Sequence, residues 1–412
     1  MAFTKTQKSW LVYDPAISAY AMIVRTVAAP LFLVSCAQGI LSESQCTEYW
    51  GYACSFAGIT AGAISVFLGP KIDAEGRKKH AVAIFTILGV LSTLLYIAVP
   101  CCVQESAPYV VVFISFIGII SFMGANSFYD SLLINVTSRT ERDKVSSWGF
   151  ALGYAGALFS FLCCLPLLEI AGGKYFYAGS FLIAALCWGL GALPLLKNVH
   201  ENTSTGKTPE INIADTLRFI AAEKNIFLFL AAYFLYIDGV GTIMMQAALI
   251  AKGLKLPDSS IMLTILALQI IGMPFTLLFG FLAEKFSTGK MILTAIIIYI
   301  IIAILVTVMS FTSDETYRTY LFFIAAGLIG TVQGGIQSLS RSLFSRIIPR
   351  ERAAELFAVY NIFGRFTTLI GPLLMIPVAV HLWNKAELGI SLMILPFICG
   401  AWLLTKVKVP EN

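Results

Sequence analysis

Long apolar stretches, separated by short polar ones, make up most of this chain. Apolar runs of about 20 residues recur over the whole length, and an α-helix needs such a run to cross the hydrocarbon core of a bilayer. No run shows the short alternation of a membrane β-strand. The pattern predicts an all-α membrane protein with twelve transmembrane helices, at residues 10–38, 48–69, 80–101, 108–131, 145–169, 174–196, 226–251, 259–283, 290–311, 319–340, 355–380 and 388–405.

The longest polar break covers residues 200–224 and contains Pro209. It separates six spans from six. We therefore predict an N-terminal six-helix bundle at residues 1–197, a cytoplasmic linker at 198–225 and a C-terminal six-helix bundle at 226–412.

Positive charges determine the predicted orientation. If the N-terminus lies inside, the inner loops hold 21 of the 28 Lys and Arg residues and the outer loops hold 5. Lys and Arg accumulate in cytoplasmic loops, so both termini are predicted to be cytoplasmic. The short loops of this multi-pass chain favour a bacterial cytoplasmic (inner) membrane.

Charged residues inside spans are rare in this composition. Of all residues, 58% are hydrophobic and 12% are charged. Arg25, Asp238 and Arg365 lie in the middle of spans, where a charge costs roughly 2.5–3.5 kcal/mol on insertion scales. Such residues usually face a bundle interior or a wet cavity, so they indicate where a pathway lies.

Further polar residues lie on the same helix faces as these charges, because residues three or four apart share a face. Span 1, for example, places Asp14, Ser18 and Arg25 on one stripe. Asp238 and Asp14 are candidate proton carriers, since a buried carboxylate beside a removable cation can change its protonation state. The candidate solute-binding residues are Arg25, Arg365, Asn361, Gln246, Gln333, Gln337, Asn126, Ser18 and Tyr20.

Each of these residues also has a structural interpretation. Arg365 can form a buried ion pair with Asp238, which would neutralise both charges. The amide side chains can form hydrogen bonds between helices, as they often do in membrane bundles. Both interpretations stay open at this point.

The two halves resemble each other. The loop after span 8 repeats the pattern of the loop after span 2, with Gly280 and Glu284 at the positions of Gly69 and Asp73. The loops after spans 4 and 10 are both rich in Arg and Ser. Six plus six related spans are typical of a two-bundle transporter with its site between the halves.

Residues 69–79 resemble the signature loop of the major facilitator superfamily, G-x-x-x-D-[RK]-x-G-[RK]-[RK]. The resemblance implies the major facilitator fold, with two pseudo-symmetric six-helix bundles, and secondary transport. The acid of this loop can cap or neutralise an inner helix end. The basic residues can hold the half-bundles together on one face until rocking breaks the contact. The predicted gating residues are Gly69, Asp73, Gly76, Arg77, Lys78, Asp130, Glu284, Lys285 and Arg341.

A narrower resemblance covers nearly the whole chain. Five segments are similar to the vacuolar-effluxer branch of that superfamily, at residues 13–20, 147–154, 236–242, 333–342 and 357–366. That branch contains the fungal vacuolar amino-acid effluxers linked to autophagy and many bacterial relatives. The resemblance implies a bacterial member with twelve helices, and amino-acid efflux for the fungal members.

The sequence gives no sign of a catalytic or metal site. Gly206, Lys207 and Thr208 match part of a phosphate loop, but Glu201 stands where its first glycine belongs and no strand precedes it. We expect neither an enzyme nor a cofactor nor a bound metal. The net charge of +5 reflects loop bias, so the expected partners are a small solute and the lipid bilayer, without nucleic acid. A monomer is expected.

These patterns favour a secondary active transporter of a small anionic or zwitterionic solute, an amino acid or a carboxylate. It would work by alternating access, with proton coupling or exchange. Arg25 and Arg365 would bind the solute carboxylate from the two halves. Asp238 would couple transport by releasing Arg365 or by binding a proton. Two alternatives stay open: a transporter of an uncharged or lipid-like solute with the charges in structural pairs, and a membrane receptor or scaffold without transport.

Overall fold

The computed structural model describes residues 3–170, 175–201, 213–254, 258–365, 375–383 and 388–408. The described residues are helical wherever they form regular structure. The α-helices are α1 (Lys5–Leu11), α2 (Tyr13–Ala19), α3 (Ala29–Cys36), α4 (Glu43–Glu75), α5 (Lys78–Leu95), α6 (Ala107–Ser131), α7 (Leu133–Val136), α8 (Arg142–Cys164), α9 (Pro166–Glu169), α10 (Phe176–Asn198), α11 (Ile213–Ala222), α12 (Lys224–Gly253), α13 (Asp258–Phe286), α14 (Thr288–Phe311), α15 (Glu315–Ile347), α16 (Ala353–Arg365), α17 (Ile376–Trp383), α18 (Leu388–Leu392) and α19 (Ile394–Thr405).

Shorter helical turns join some of these elements. A π-helix (Tyr20–Ala28) connects α2 to α3. Turns of 3-10 helix occur at Tyr96–Cys101, Gln104–Ser106, Arg139–Glu141 and Arg350–Arg352.

Eleven stretches of the described chain are long and apolar enough to cross a membrane. They are Lys5–Cys36, Gln45–Glu75, Lys78–Cys101, Gln104–Val136, Arg139–Leu168, Phe176–Asn198, Lys224–Met244, Leu263–Phe286, Thr288–Phe311, Glu315–Ile347 and Leu388–Thr405. The predicted span at 355–380 includes residues 366–374, which lie outside the described residues. The prediction of an all-α membrane protein is confirmed.

Helices α4 and α15 extend well past the predicted spans because both have strong end signals. Ser42 and Gln45 form a reciprocal capping box at the start of α4, and Gly76 ends it with a left-handed φ of 61°. Asp314 caps α15 through the N–H groups of Thr316 and Tyr317. Each helix has 33 residues, or about 50 Å, which exceeds a bilayer core of about 30 Å. Their ends can therefore carry polar groups beyond the hydrocarbon.

The first span is not a uniform α-helix. Within Tyr20–Ala28 the chain winds as a π-helix, and the N–H of Ala29 donates to the carbonyl of Val24, five residues earlier. Pro30 follows at the start of α3; it has no N–H, and its ring would clash with the carbonyl four residues before it. The wider winding accommodates Pro30. It also rotates Arg25 away from the α-helical stripe that the sequence pattern assumes.

The chain forms two compact units. Unit 1 consists of Met1–Thr137, Leu152–Ile213 and Pro349–Val359, and unit 2 of Ser138–Ala151, Ala214–Ile348 and Tyr360–Asn412. Each unit thus includes a short segment from a distant part of the sequence. Residues 349–359 pack in unit 1, and residues 138–151 pack in unit 2.

Aromatic rings build the interior of unit 1. Trp10 stacks on Tyr129 with 4.5 Å between ring centroids. Tyr96 stacks on Phe181 at 4.4 Å. These rings are buried, and such pairs stabilise a core beyond the area they bury.

Unit 2 has a similar aromatic interior. Tyr360 stacks on Tyr233 at 4.3 Å and on Phe344 at 4.9 Å, which joins α16 to α12 and α15. Tyr299 of α14 stacks on Phe397 of α19 at 5.7 Å. The opposite face of α14 exposes large apolar residues at helical spacing, namely Ile297, Ile301, Ile304 and Val308. Such a face is suited to contact with lipid.

Candidate functional site

Arg25 is half-buried in the π-helix of unit 1. Its guanidinium carbon lies 5.9 Å from the centroid of the Phe122 ring, within reach of a cation–π contact. The Cys54 thiol is also beside it. Within the described part of the chain Arg25 forms no salt bridge, so a partly buried cation is available to bind an anionic group.

The other predicted residues of the first span are in contact with neighbouring helices. Asp14 is buried and accepts a hydrogen bond of 2.7 Å from the Tyr129 hydroxyl. Ser18 lies against Gly153, where an added Cβ would come within 2.9 Å of the Ser18 Oγ. Tyr20 is buried, with its ring 4.8 Å from that of Trp188. The structure therefore separates Ser18, which faces α8, from Arg25, which faces α6.

Two predicted polar residues lie on α6. Asn126 is half-buried, and its amide donates to the carbonyl of Phe122 at 3.0 Å, one turn earlier in the same helix. Asp130 is buried one turn further on. The hydrogen bond of Asn126 satisfies part of its amide within its own helix.

A polar stripe runs along α12 in unit 2. Asp238, Thr242 and Gln246 are spaced by four residues, and all three are buried. Within the described part of the structure, the Thr242 hydroxyl has no hydrogen-bond partner. Thr276, by contrast, bonds to the carbonyl four residues earlier at 2.6 Å, as helical threonines commonly do. Among the described residues the Gln246 side chain also forms no hydrogen bond. Buried polar groups are normally satisfied, so this stripe is suited to a polar ligand or water.

The remaining solute-binding predictions fall on α15 and α16. Gln333 accepts a hydrogen bond from the Tyr299 hydroxyl of α14. Gln337 and Asn361 are half-buried. The side chain of Arg365 lies outside the described part of the structure, so its pairing with Asp238 stays a prediction.

The signature loop of unit 1 holds the start of α16. The Asp73 carboxylate accepts hydrogen bonds of 3.0 Å from the backbone N–H groups of Ala354 and Glu355. The first N–H groups of a helix have no partner within it, and a negative charge is favourable there. The Lys78 ammonium lies 3.1 Å from Asp73 and neutralises it. We call this set, including Gly69, the carboxylate clasp.

Gly69 allows the close approach that the carboxylate clasp requires. A Cβ at this position would lie 2.7 Å from the Cα of Glu355, so no other residue fits without moving the backbone. Arg352 and Glu355 form a two-point ion pair, with N···O distances of 2.7 and 2.6 Å. Gly76 provides the left-handed helix end, and the exposed Arg77 forms an ion pair with the half-buried Glu75.

A second contact set, within unit 2, joins the start of α8 to the end of α15. The Arg341 guanidinium donates to the hydroxyl and the carbonyl of Ser146 at 2.9 and 3.0 Å, and lies 4.4 Å from the Phe150 ring centroid. The Ser146 hydroxyl donates in turn to the carbonyl of Ser338 at 2.7 Å. We call these residues, together with Arg142, Asp143, Ser345 and Arg346, the arginine clasp.

The charged pair of the arginine clasp is buried. Arg346 donates to the Asp143 carboxylate at 2.6 Å, and both side chains are at most 5% exposed. The Thr288 hydroxyl donates to the same oxygen at 2.7 Å, and Arg142 donates to the carbonyl of Ser345 at 2.6 Å. The residues of this clasp that were not predicted from the sequence pattern are Arg142, Asp143, Ser146 and Arg346. The Arg and Ser enrichment of the loops after spans 4 and 10 was the signal.

The second copy of the signature loop works differently from the first. Glu284, the counterpart of Asp73, is exposed, and so is Lys285. Neither forms a salt bridge among the described residues. Gly280, the counterpart of Gly69, keeps the close contact: its added Cβ would lie 2.5 Å from the Ser147 Oγ. The glycine role is therefore repeated between the copies, and the carboxylate role is not.

Other features carry less chemistry. A small apolar cavity of about 30 Å³ lies among α12, α14, α15 and α18 of unit 2, lined by residues such as Ile243, Ile302 and Ile329. Its lining contributes no polar surface, so it offers nothing to a charged group. Across the described residues, no group of three or more His, Cys, Asp or Glu side chains is placed to hold a metal ion.

Comparison with known proteins identifies the family. Residues 134–410, more than half of the chain, match the family described as vacuole effluxer Atg22 like. The chain belongs to this family. The Atg22-like chain is 35% identical to an uncharacterized MFS-type transporter, YxiO, of Bacillus subtilis (strain 168), over 100% of this chain and 96% of that protein.

Fungal relatives match less of their own length. Autophagy-related protein 22 of Vanderwaltozyma polyspora is 26% identical over 350 residues, 72% of this Atg22-like chain and 65% of the fungal protein. The chain therefore spans just under two thirds of that relative.

Solved structures agree on the fold of the Atg22-like chain. A bacterial homologue of the iron transporter ferroportin, in an outward-facing state, superposes with a TM-score of 0.73 at 15% identity, covering 98% of both chains. The proton:xylose symporter XylE superposes with a TM-score of 0.72 at 15% identity, over 98% of this chain and 95% of that one. The predicted major facilitator fold and effluxer branch are confirmed, and this is an MFS-type transporter.

Proposed function

We propose that this transporter moves a small anionic or zwitterionic solute, an amino acid or a carboxylate, across the membrane by alternating access. The observation that carries the proposal is Arg25, a half-buried cation that forms no salt bridge among the described residues. An uncompensated cation inside a membrane bundle is costly, and a solute carboxylate would offset that cost. Arginine binds carboxylates through two parallel hydrogen bonds.

The polar stripe of α12 supports a second contact region. Thr242 and Gln246 are buried with side chains that lack hydrogen bonds among the described residues. A solute amine or carboxylate could satisfy them. Arg365, on α16, is the proposed partner of Arg25 in the second half.

Alternating access requires contacts that form in one state and break in another. The carboxylate clasp and the arginine clasp fit this requirement, because both consist of hydrogen bonds and ion pairs between helix ends. We infer that both clasps open when the transporter changes state.

Asp238 and Asp14 are the proposed proton-coupling residues. Both are buried carboxylates, Asp14 on α2 and Asp238 on α12, in the first predicted span of their own half. Proton release by either would change the local charge at a step of the cycle. Exchange of one solute for another is the alternative mode. The proposed setting is a bacterial inner membrane, with a monomer whose termini are both cytoplasmic.

Transport by purified protein in liposomes tests the solute class. Labelled amino acids, monocarboxylates, dicarboxylates and an uncharged sugar are offered to the wild type, to Arg25→Ala and to Arg25→Lys. Loss of a charge-assisted hydrogen bond of about 1.5–3 kcal/mol predicts roughly 10- to 100-fold weaker apparent affinity for Arg25→Ala. Arg25→Lys keeps the charge but loses the two-point geometry, so an intermediate loss is expected.

The matched control is Arg218→Ala, which removes an exposed arginine of α11 and leaves transport unchanged. Unaltered affinity for every transported anion in Arg25→Ala would overturn the carboxylate site. Transport of the uncharged sugar alone would favour the alternative solute class. Flux with and without a pH gradient, in wild type, Asp14→Asn and Asp238→Asn, tests coupling: pH-independent exchange would remove the proton role.

A further inference from the structure

The chain that leaves α10 turns back onto the signature loop. Three residues after the end of α10, the Glu201 carboxylate accepts hydrogen bonds from the backbone N–H groups of Lys78 and Lys79, at 2.7 and 2.6 Å. The Lys79 ammonium donates to the carbonyl of Val199 at 3.0 Å. Lys78 and Lys79 are the first two residues of α5, so Glu201 caps this helix from 122 residues away.

Lys78 connects this cap to the carboxylate clasp. Its backbone N–H is bound to Glu201, while its ammonium lies 3.1 Å from Asp73. The side chains of Lys78 and Asp73 are 6% and 3% exposed, so little water is available to replace one partner with another. Asp73 in turn binds the first N–H groups of α16.

We propose that Glu201 is a positioning residue for the carboxylate clasp. By fixing the first turn of α5, it holds the Lys78 ammonium against Asp73, and so determines how firmly Asp73 binds the start of α16. The start of the predicted linker at residues 198–225, where Glu201 lies, is thereby coupled to the carboxylate clasp. The consequence for transport rests on the alternating-access function proposed above, whereas the chain of contacts does not.

Charge explains why the position of Lys78 matters. Asp73 and Glu201 are two carboxylates that share one lysine, the first through its ammonium and the second through its backbone. A displaced ammonium leaves Asp73 as a buried carboxylate without its nearest counter-charge. An uncompensated buried charge is costly, so the contact between Asp73 and the N–H groups of α16 then opens more readily.

Hydrogen–deuterium exchange on the full-length protein in nanodiscs tests the proposal without any solute. The N–H groups of Ala354 and Glu355 have no partner within their helix, so their protection reports their bonds to Asp73. In Glu201→Gln we expect faster exchange at the start of α5. We also expect about tenfold faster exchange in peptides covering Ala354 and Glu355, which Glu201 does not touch.

A purely structural cap would change α5 alone, and unchanged exchange at Ala354 and Glu355 would overturn the proposal. The matched control is Glu75→Gln, which removes the half-buried partner of the exposed Arg77 from the same loop and leaves both sites unchanged. Glu201→Asp should restore part of the protection in both places. If Glu201→Gln fails to fold, the comparison of Glu201→Asp with wild type decides, with a smaller effect in the same two places.

A double variant tests the route through Lys78. In a Lys78→Met background the Glu201→Gln change should still affect α5 and should no longer affect α16. An undiminished effect on α16 would show that Glu201 acts by another path, and the proposal would be wrong. Failure of the solute assays leaves this result intact, so the two proposals fail independently.

Discussion

Gly69 and Glu355 are in backbone contact. A Cβ built on Gly69 would lie 2.7 Å from the Cα of Glu355, closer than real Cβ contacts allow. One turn further along α4, Asp73 binds the N–H group of the same Glu355 at 3.0 Å. The signature loop therefore binds the start of α16 in two ways, through the close backbone contact at Gly69 and through the charge of Asp73.

Gly69→Ala should weaken this contact. The added methyl group meets backbone, which cannot rotate away, so we expect a loss of about 1–3 kcal/mol in stability and a lower Tm. Gly58→Ala is the matched control on the same helix: its nearest neighbour would be the flexible Met123 side chain at 3.8 Å. That change should keep or raise Tm, because alanine favours helix over glycine by about 1 kcal/mol.

Gly280→Ala should be destabilising for a reason that a second substitution can remove. The added Cβ would lie 2.5 Å from the Oγ and 2.6 Å from the Cβ of Ser147. Ser147→Gly deletes both atoms, so the double variant should regain most of the Tm lost by Gly280→Ala. Equal Tm values for Gly280→Ala alone and in the double variant would contradict the direct contact.

Asp143→Asn should be one of the costlier single changes. It leaves the buried Arg346 without its carboxylate, and breaking a buried pair in this way costs about 3–5 kcal/mol. Arg346→Gln in the same chain should recover part of that loss, which a double-mutant cycle on thermal unfolding measures. Additive losses would mean that the two side chains act separately.

The pH dependence of stability should carry a signature of Glu201. Burial raises the pKa of its carboxyl above the ordinary value, and the N–H groups of Lys79 and Lys78 oppose this shift without cancelling it. The folded protein then holds a proton that the unfolded chain has already lost. The contribution of this group to stability therefore falls as pH rises from the ordinary pKa to the raised one.

The difference in Tm between wild type and Glu201→Gln measures this pH-dependent contribution of Glu201 to stability, because glutamine does not titrate. It should be largest on the acid side, near pH ~4, and should narrow as pH rises toward neutrality. A difference that widens steadily with pH would mean that the hydrogen bonds from α5 outweigh burial.

The helix end within the signature loop follows from the amino-acid sequence because its shape is local. The left-handed end at Gly76 and the acid four residues after Gly69 are properties of one helix end. The second copy shows the limit of that reasoning. Glu284 has the expected position in the repeat, yet it is exposed, while Gly280 keeps its close contact with Ser147.

Arg25 shows a different limit. Its place in the middle of an apolar span was evident from composition, but its direction was not. The α-helical period assigns it to the stripe of Ser18, whereas the π-helix before Pro30 turns it toward Phe122. A change from α-helical to π-helical winding alters the direction of every later side chain on the helix. The hydrophobic pattern alone does not reveal this change.

The sequence by itself determined the class of this protein: an all-α membrane transporter of the effluxer branch, with charges confined to few intramembrane positions. Apolar run length, helix-end signals and short motifs are sufficient for that, since each depends on neighbouring residues. Only the tertiary structure decided which polar groups meet. Asp73 and Ala354 are 281 residues apart, and Arg142 and Ser345 are 203 apart. Contacts at such separations arise from packed helix ends, and no local pattern specifies them.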